Sequence, residues 1–362
     1  MLSNTKLNIQ EIAEKKKILN SYPFKFYLES TQKCNLNCIM CDHKSCSEDK
    51  EFSIELFEKI KPYLKYAEEV DFYLLGEPTL SKNLSKFLKE TEKCSFVPKI
   101  FTNGTILNKK LLNLFDKRGV FVNISMESAD KDIYELIRNG ASFEKFKKNV
   151  KMYADKYKHR NNDRFHIRLS CTVAIDTLPE VLNIIEFAHD LGIKDLFFGA
   201  IDSEPKYMNR NLSCDPEKTV FYFKKAKELA DKYKIRFSCP RKIGNLVIKE
   251  NNNWKNFKLP IDKYSSEYAE AFNPNPLTKD CGYPWIQTII RANGDVCSCC
   301  QRRFVLGNLF KSSFDEIWNG DSYQKLRAQE NFRKCYGVGC NMINYSIWPH
   351  QISRDTKMEK KI

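Results

Sequence analysis

The 362-residue chain lacks several features that define other classes of protein. It has no uninterrupted apolar run near the ~20 residues that a membrane-spanning helix requires. Its N-terminus, MLSNTKLNIQEIAEKKK, lacks the apolar core of a signal peptide, and no internal repeat is evident. We therefore expect a cytoplasmic protein with no membrane partner, and neither a secretory signal nor a repeat architecture.

Basic residues are in excess, but they are not concentrated in one place. The chain carries 60 Lys and Arg against 46 Asp and Glu, a formal charge of +14. Nucleic acid, a phosphorylated substrate or an acidic peptide would each suit this charge. However, no basic stripe with interleaved aromatic residues is found. A lysine-rich solvated surface accounts for the charge more simply, so no nucleic-acid partner is expected.

Fourteen cysteines stand out in a composition that is otherwise typical of a globular protein. In a long cytosolic chain, cysteines indicate metal ligands more often than disulfides. Cys34, Cys38 and Cys41 have the spacing C-x3-C-x2-C, which places three thiolates on one short loop. Three thiolates can hold three corners of a cubic [4Fe–4S] cluster and leave one iron open for chemistry.

A structural zinc site is the alternative interpretation of this loop, with His43 or Cys46 as the fourth ligand. Zinc sites more usually combine two close cysteines with a second, distant pair. The spacing therefore favours the iron–sulfur cluster.

The cysteine loop resembles the cluster loop of the radical S-adenosylmethionine (SAM) enzymes. In that family the open iron binds SAM through its amino and carboxylate groups. One electron from the cluster then cleaves SAM to methionine and a 5′-deoxyadenosyl radical, which takes a hydrogen atom from an unreactive C–H bond. The resemblance implies a SAM-binding [4Fe–4S] cluster on Cys34, Cys38 and Cys41, with catalysis at that site.

Helical and strand-like segments alternate between about residues 50 and 200. With a first strand in PFKFYLES, the pattern predicts six strands, and strand–helix units in series specify a parallel sheet. This matches the partial (β/α)6 barrel of the radical SAM fold, in which functional groups gather at the C-terminal ends of the strands. The predicted class is thus α/β, a partial barrel followed by a small cysteine-rich α+β domain.

Three further segments resemble the SAM-binding elements of the family. The segment Leu75-Gly76-Glu77-Pro78 is similar to the GGEP motif, with Leu75 in place of the first glycine. This motif meets the SAM amino group through backbone carbonyls and its acidic side chain. Glycine allows the backbone to approach closely, and proline restricts the turn.

The other two elements follow later strands. The family often carries a TNG sequence after strand three and small polar or acidic residues near the SAM ribose after strand four. The resemblance implies SAM contacts from Asn103, Ser125 and Glu127, and a place for Arg138, in LIRNG, near the SAM carboxylate. Met40 stands where relatives often carry an aromatic residue against the adenine.

The C-terminal cysteines resemble the SPASM/twitch extension of radical SAM enzymes. The matching elements are the C-x2-PW start, NGDV, the cysteine pair, GNL and FDEIWNG. The family's pattern implies that one auxiliary [4Fe–4S] cluster is bound by Cys281, Cys299, Cys335 and Cys340. Cys297 and Cys300 compete with Cys299, because a slip of one or two residues would exchange them. A zinc ribbon is the alternative.

Six cysteines in this region favour one auxiliary cluster, since two would need about seven or eight. Among the remaining cysteines, Cys239 has some claim to a role in returning a hydrogen atom to a substrate radical. Lone cysteines are usually small buried hydrophobes. The predicted boundaries are an N-terminal helical extension 1–24, the barrel 25–202, a connecting segment 203–280, the SPASM/twitch domain 281–345 and a tail 346–362.

The layout favours a radical SAM oxidoreductase of dehydrogenase type. A small polar, carbohydrate-like substrate would lose a hydrogen atom, and the auxiliary cluster would accept an electron from the resulting radical. The expected partners are this small molecule and a flavodoxin- or ferredoxin-like electron donor. The alternative is a maturase of a ribosomally made peptide, disfavoured because only 33 residues precede Cys34, too few for a leader-binding domain. The non-enzymatic alternative is a zinc-bound scaffold.

Overall fold

The computed structural model describes residues 3–41, 43, 48–201, 209–239, 242–243, 246–247, 282–299 and 304–328. The chain divides into two compact units. The first comprises 1–34, 45–100 and 261–346, and the second comprises 35–44, 101–260 and 347–362. Of the predicted ligands, Cys46, Cys281, Cys300, Cys335 and Cys340 lie outside the described residues.

The strands and helices are numbered in chain order. The strands are β1 (Lys25–Leu28), β2 (Glu69–Phe72), β3 (Val97–Thr102), β4 (Phe121–Ser125), β5 (His166–Val173), β6 (Asp195–Ala200), β7 (Arg236–Ser238), β8 (Lys242–Ile243), β9 (Leu246–Val247), β10 (Gln287–Ile290), β11 (Asp295–Cys297) and β12 (Gly307–Asn308). The α-helices are α1 (Asn4–Ala13), α2 (Ile54–Ile60), α3 (Leu84–Glu90), α4 (Lys109–Arg118), α5 (Lys131–Ile137), α6 (Phe143–Lys158), α7 (Glu180–Leu191), α8 (Pro216–Lys232), α9 (Tyr283–Ile286), α10 (Phe314–Trp318) and α11 (Asp321–Arg327). Short 3₁₀ helices span Lys61–Tyr66, Pro78–Leu80 and Leu212–Cys214.

The sheet of the first unit joins the start of the barrel to the C-terminal region. Its strand order is β12-β11-β10-β1-β2-β3. Strand β10 pairs in parallel with β1, which pairs in parallel with β2, and β2 with β3. Strands β11 and β12 add to β10 as an antiparallel extension. The C-terminal region therefore begins as a strand of the same sheet that holds β1.

The sheet of the second unit contains β4, β5, β6 and β7, which are paired in parallel in that order. Helices α5 to α8 connect them, as the predicted strand–helix alternation requires. Helix α8 and strand β7 continue this alternation past residue 202. The six predicted strands are all present as β1 to β6.

Local signals in the sequence explain where the helices begin and end. Ser53 caps α2 by accepting the N–H of Leu56 at 3.1 Å, and Asp130 caps α5 in the same manner. Such a cap stabilises a helix by about 1 kcal/mol. Helix α4 ends at Gly119, where a φ of 71° places the backbone in the left-handed region that glycine favours. None of the helices in the described ranges is long and apolar enough to cross a membrane.

The core of the first unit is aromatic. Phe57 stacks on Phe87 with ring centroids 4.5 Å apart, and Phe52 and Phe72 also pack against Phe87. All four rings are buried. Close contact between rings adds to the stability gained from burying their area.

The N-terminal segment packs on the C-terminal region within the first unit. The Asn8 side chain in α1 is fully buried, and its Nδ2 donates to the Trp285 carbonyl of α9 at 2.8 Å. The Trp285 indole N–H donates in turn to the Lys16 carbonyl at 2.8 Å. Residues before β1 therefore support the region that carries the predicted auxiliary ligands.

Candidate active site

The cluster loop follows β1, and main-chain hydrogen bonds hold its middle in the second unit. The N–H groups of Asn37 and Ile39 donate to the carbonyls of Asn139 and Ile137, at 2.8 and 2.9 Å. These partners lie at the C-terminal end of α5. The segment around Cys38 is thus anchored to the LIRNG sequence.

Cys38 and Cys41 share a tight turn, which the Cys41 N–H closes by donating to the Cys38 carbonyl at 3.1 Å. The Cys41 side chain is exposed, and Cys34 and Cys38 are half-buried. The N–H of His43 points at Cys41 Sγ, 3.4 Å away. N–H groups that point at a ligand sulfur are typical of iron–sulfur sites, so the turn is suited to hold iron.

Within the described ranges, no three Cys, His, Asp or Glu side chains gather around a point where a single metal ion could bind. An iron–sulfur cluster does not require its ligands to meet at one point, because each thiolate binds a separate iron. The geometry of the three predicted cluster ligands around a cofactor therefore stays a prediction.

The LGEP segment packs directly on the chain that leads into Cys34. Gly76 has a φ of 72°, and a Cβ there would lie 2.3 Å from the Thr31 carbonyl oxygen. The Glu77 N–H donates to the Lys33 carbonyl at 2.8 Å. The buried Glu77 carboxylate accepts the N–H and hydroxyl of Thr79 at 3.1 and 2.6 Å. Glycine is required here because only its backbone fits at this distance.

Asn103 of the TNG sequence belongs to a ring of side-chain hydrogen bonds. Its Nδ2 donates to Asn35 Oδ1 at 3.0 Å, and Asn35 Nδ2 donates to Thr105 Oγ1 at 2.9 Å. Thr105 closes the ring by donating its N–H and hydroxyl to Asn103 Oδ1 at 3.0 and 2.7 Å. This ring ties the residue after Cys34 to the end of β3. Sequence reasoning missed Asn35 and Thr105, because neither residue type signals a site by itself.

Glu127 and Arg138, to which the sequence assigned separate roles, form a buried ion pair. Arg138 donates from Nε to Glu127 Oε2 and from Nη2 to Oε1, the latter at 2.7 Å. Arg138 Nη1 also lies 3.9 Å from Cys38 Sγ. Such two-point pairs are among the stronger polar contacts in proteins. The pair therefore places a positive charge beside a predicted cluster ligand.

The electrostatics of this pair maintain that charge. Burial would lower the pKa of Arg138, but the charge and hydrogen bonds of Glu127, with a contribution from Cys38, raise it above its usual value. The nearby thiol of Cys171 is buried, and its pKa is raised by that burial and then by the charge of Glu127. Arg138 therefore stays positively charged, while Cys171 stays a neutral thiol.

Small polar side chains line one face of the second sheet, near the C-terminal ends of its strands. Ser125 is paired in register with Ser170, Ser170 with Phe197, and Phe197 with Ser238. Residues paired in a parallel sheet point to the same face. Ser125, Ser170 and Phe197 remain partly exposed although they lie within a sheet. Met40, from the cluster loop, packs on an apolar patch of Ala174 and Ile201 that follows β5 and β6.

Two cysteines that compete for the auxiliary site differ in burial. Cys297 ends β11 and is 1% exposed, whereas Cys299 lies two residues further on and is half-buried. Cys239 follows β7 and is buried. The choice between Cys297 and Cys299, and any role of Cys239, stay predictions.

Two regions of the chain match models of known families. Residues 28–166 match the radical SAM superfamily, and residues 281–341 match SPASM, an iron–sulfur cluster-binding domain. The chain belongs to the radical SAM superfamily. The first match contains Cys34, Cys38, Cys41 and the predicted SAM-binding residues, and the second contains the predicted auxiliary ligands. The predicted use of SAM and of catalytic and auxiliary [4Fe–4S] clusters is thereby confirmed.

Sequence relatives of this radical SAM enzyme include two curated proteins. The antilisterial bacteriocin subtilosin biosynthesis protein AlbA of Bacillus subtilis is 23% identical over 85% of this chain and 62% of its own length. The tungsten-containing aldehyde ferredoxin oxidoreductase cofactor-modifying protein of Pyrococcus furiosus is 25% identical over 83% of this chain and 82% of its own. The enzyme thus spans less than two thirds of the length of AlbA.

Solved structures share the fold. Streptococcus suis SuiB bound to S-adenosylmethionine superimposes with a TM-score of 0.64, at 15% identity, over 90% of this chain and 72% of SuiB. The enzyme anSMEcpe with bound AdoMet and Cp18Cys peptide gives 0.59, at 20% identity, over 84% of this chain and 82% of that one. The predicted α/β radical SAM fold is confirmed.

The predicted preference for a small-molecule partner over a peptide is wrong. The similarity to AlbA, a bacteriocin biosynthesis protein, over 85% of this chain overturns it. The preference depended on the number of residues before Cys34. Within the first unit, those residues instead pack on α9, as the contact between Asn8 and Trp285 shows. Their number carries no information about the substrate.

Proposed function

We propose that this enzyme matures a ribosomally made peptide by taking a hydrogen atom from it with a SAM-derived radical. The alignment to AlbA carries this proposal, because it covers 85% of the chain and a bacteriocin is an antibacterial peptide. The predicted dehydrogenase chemistry on a sugar-like molecule does not have such support.

The chain's own residues would divide the work. Cys34, Cys38 and Cys41 would hold the catalytic cluster, which when bound supplies the electron that cleaves SAM to methionine and a 5′-deoxyadenosyl radical. The Arg138 guanidinium places its charge 3.9 Å from Cys38 Sγ. Gly76 and Glu77 would present backbone and carboxylate groups to the SAM amino group.

Ser170 and Phe197 lie on the same face as Ser125, which the resemblance assigns to SAM, so a peptide bound beside SAM would meet them. The Ser170 hydroxyl can donate to and accept from peptide backbone groups, and Phe197 can pack on apolar side chains. Their partial exposure leaves both positions accessible. The radical would take one hydrogen atom from the bound peptide and become 5′-deoxyadenosine, leaving a peptide-centred radical.

The test uses anaerobically reconstituted enzyme with SAM, dithionite and synthetic peptides encoded by short reading frames beside the gene. We expect 5′-deoxyadenosine together with a modified peptide. Crosslinking, or oxidation of a serine side chain to an aldehyde, removes two hydrogens, and epimerisation in D₂O adds deuterium. Mass spectrometry measures either change.

The Cys34→Ala variant is the control. It should form no 5′-deoxyadenosine while keeping about half of the roughly eight irons that two clusters would contribute. Peptides that stay unmodified, while a sugar or nucleotide stimulates 5′-deoxyadenosine formation, would contradict the peptide assignment. A Cys34→Ala protein that still cleaves SAM would contradict the assignment of the catalytic cluster.

A further inference from the structure

A buried carboxylate, Glu29, lies directly after β1 and takes no part in the site described above. It is 0% exposed. Its Oε2 accepts the N–H of Ala292 at 2.9 Å, and Arg291 Nε lies 3.7 Å from the same oxygen. The main-chain N–H of Glu29 donates to the Ile290 carbonyl at 3.0 Å. Glu29 therefore holds the turn at residues 291–294, between β10 and β11, against the end of β1.

The same carboxylate oxygen also contacts the start of the cluster loop. Gln32 Nε2 donates to Glu29 Oε2 at 2.9 Å. Gln32 Oε1 accepts the N–H groups of Glu48 and Lys50, at 3.0 and 3.4 Å. Because a carboxylate accepts only, the amide of Gln32 must turn its NH₂ toward Glu29 and its oxygen toward the chain that returns from the loop. Glu29 thereby sets the orientation of Gln32, two residues before Cys34.

The predicted SAM-binding motif also contacts Glu29. Burial raises the pKa of Glu29. The N–H of Ala292, the Gln32 side chain, the Arg291 charge and the N–H of Leu75, the first residue of LGEP, each lower it. Burying a carboxylate costs free energy unless hydrogen bonds and opposite charges compensate for the lost contact with water. Here the partners come from three separate segments of the first unit: the chain that leads into Cys34, the SAM-binding motif and the turn at 291–294.

We propose that Glu29 is a positioning residue that couples the turn at 291–294 to the geometry of the cluster loop through Gln32. This inference rests on the proposed role of Cys34, Cys38 and Cys41. It goes beyond that role by making SAM binding at the catalytic cluster depend on the SPASM region. Glu29 acts through Gln32, and none of its contacts requires it to touch SAM or iron.

The test is the Glu29→Gln variant of the full chain, purified with its clusters. The neutral amide loses the negative charge that faces Arg291, and its NH₂ group can only donate, so one of the two positions that now accept is lost. We expect the KM for SAM in 5′-deoxyadenosine formation to rise about tenfold, as for loss of residues that orient metal ligands, with kcat little changed. Equilibrium dialysis should give a matching loss of SAM affinity. Hydrogen exchange should rise in both 30–52 and 288–297.

Two further variants separate positioning from simple destabilisation. Asp116→Asn removes a buried carboxylate that accepts the Asn161 N–H at 2.9 Å and pairs with Lys156 at 2.8 Å. It should lower the melting temperature without changing SAM affinity. Gln32→Ala cuts the connection at its other end, so it should weaken SAM binding and raise exchange in 30–52 alone.

A Glu29→Gln protein with unchanged SAM affinity, and with faster exchange confined to 288–297, would overturn the proposal. So would an equal loss of SAM affinity in Asp116→Asn. The exchange measurement needs no turnover. If the wild-type enzyme formed no 5′-deoxyadenosine, the proposed function would fail while the coupling through Glu29 could still be judged.

Discussion

At the scale of single residues, the buried ion pair of Arg138 and Glu127 places a positive charge beside a thiol that is distant in the sequence. Cys38 lies 100 residues before Arg138, yet its Sγ is 3.9 Å from Arg138 Nη1. The positive charge favours the thiolate and any negative charge that an attached cluster gains on reduction. Glu127 holds the guanidinium in place by two hydrogen bonds.

Replacing Arg138 by Gln should lower the reduction potential of the catalytic cluster, because a nearby positive charge is lost. Removing one partner of a buried pair costs about 3–5 kcal/mol, so a lower melting temperature is also expected. Redox titration followed by EPR measures the potential. The double variant Arg138→Gln, Glu127→Gln is the control, since it leaves no unpaired charge. It should recover stability but only part of the potential, because Arg138 is the charge that contacts Cys38 Sγ, and an unchanged potential in the single variant would contradict the assigned role.

Gly76 is a second residue whose size matters. Gly76→Ala would place a Cβ 2.3 Å from the Thr31 carbonyl oxygen, so the chain before Cys34 must move. We expect SAM cleavage to fall at least about tenfold, equivalent to ~1.4 kcal/mol in the barrier. Assay of 5′-deoxyadenosine measures this loss.

Gly140→Ala is a matched control for Gly76→Ala. Gly140 has a φ of 93°, but a Cβ there meets no atom closer than 3.5 Å. It carries the backbone penalty of roughly 1–2 kcal/mol without the clash. Equal losses of activity in the two variants would mean that backbone strain, not crowding of the cluster loop, is responsible.

At the scale of elements, α1 acts as a support for the C-terminal region of the first unit. Asn8 donates to Ser21 Oγ and to the Trp285 carbonyl, both at 2.8 Å. Farther along, the Trp318 indole N–H donates to the Ser21 carbonyl at 2.9 Å. The contacts of Asn8 with Trp285 and of Ser21 with Trp318 join residues 277 and 297 positions apart. They explain why a segment without catalytic residues matters to the fold.

Asn8→Ala should destabilise the protein by about 1–3 kcal/mol, because two buried groups lose their partner. Hydrogen exchange should rise first in α9 and β10. Chemical unfolding and exchange mass spectrometry measure both effects. Gln10→Ala, on the exposed side of the same helix, should stay within ~0.5 kcal/mol of wild type. Both variants place Ala, the best helix former, in α1, so similar losses in the two would contradict the assigned role of the Asn8 hydrogen bonds.

At the scale of the whole molecule, buried charge makes stability depend on pH. Asp71 in β2 is fully buried, with Lys99 Nζ 3.9 Å from its Oδ1. Burial raises the pKa of Asp71 to about 6 from an ordinary value of 3.8, and Lys99 opposes this only in part. The folded state therefore holds this proton more tightly than the unfolded state. The stability that folding gains from protonated Asp71 is fully present below pH 3.8 and is lost as the pH rises through about 6.

Asp71→Asn should remove this dependence. As the pH rises from about 4 to 7, the free energy of unfolding of the variant should increase by roughly 2–3 kcal/mol relative to that of the wild type. Chemical unfolding at several pH values measures the difference. A difference that is constant with pH, or that favours the wild type as the pH rises, would contradict the raised pKa.

Much of the fold and part of the site follow from local sequence patterns. The spacing of Cys34, Cys38 and Cys41 and the alternation of strands and helices led to the radical SAM family, which the family models confirm. Helix ends such as the one at Gly119 also follow from the local sequence, because glycine readily adopts the left-handed backbone conformation that ends a helix. The substrate class was predicted wrongly, since no short motif encodes it.

Only the tertiary structure decided which distant residues share a contact. The pair of Arg138 with Glu127 beside Cys38, the ring of Asn35 with Asn103, and the partners of Glu29 depend on which strand ends are neighbours. Cysteine spacing acts within one loop, so the sequence alone determined that part of the chemistry. Hydrogen bonds between separate strands depend on register and burial across the fold, and these exist only once the sheets have formed.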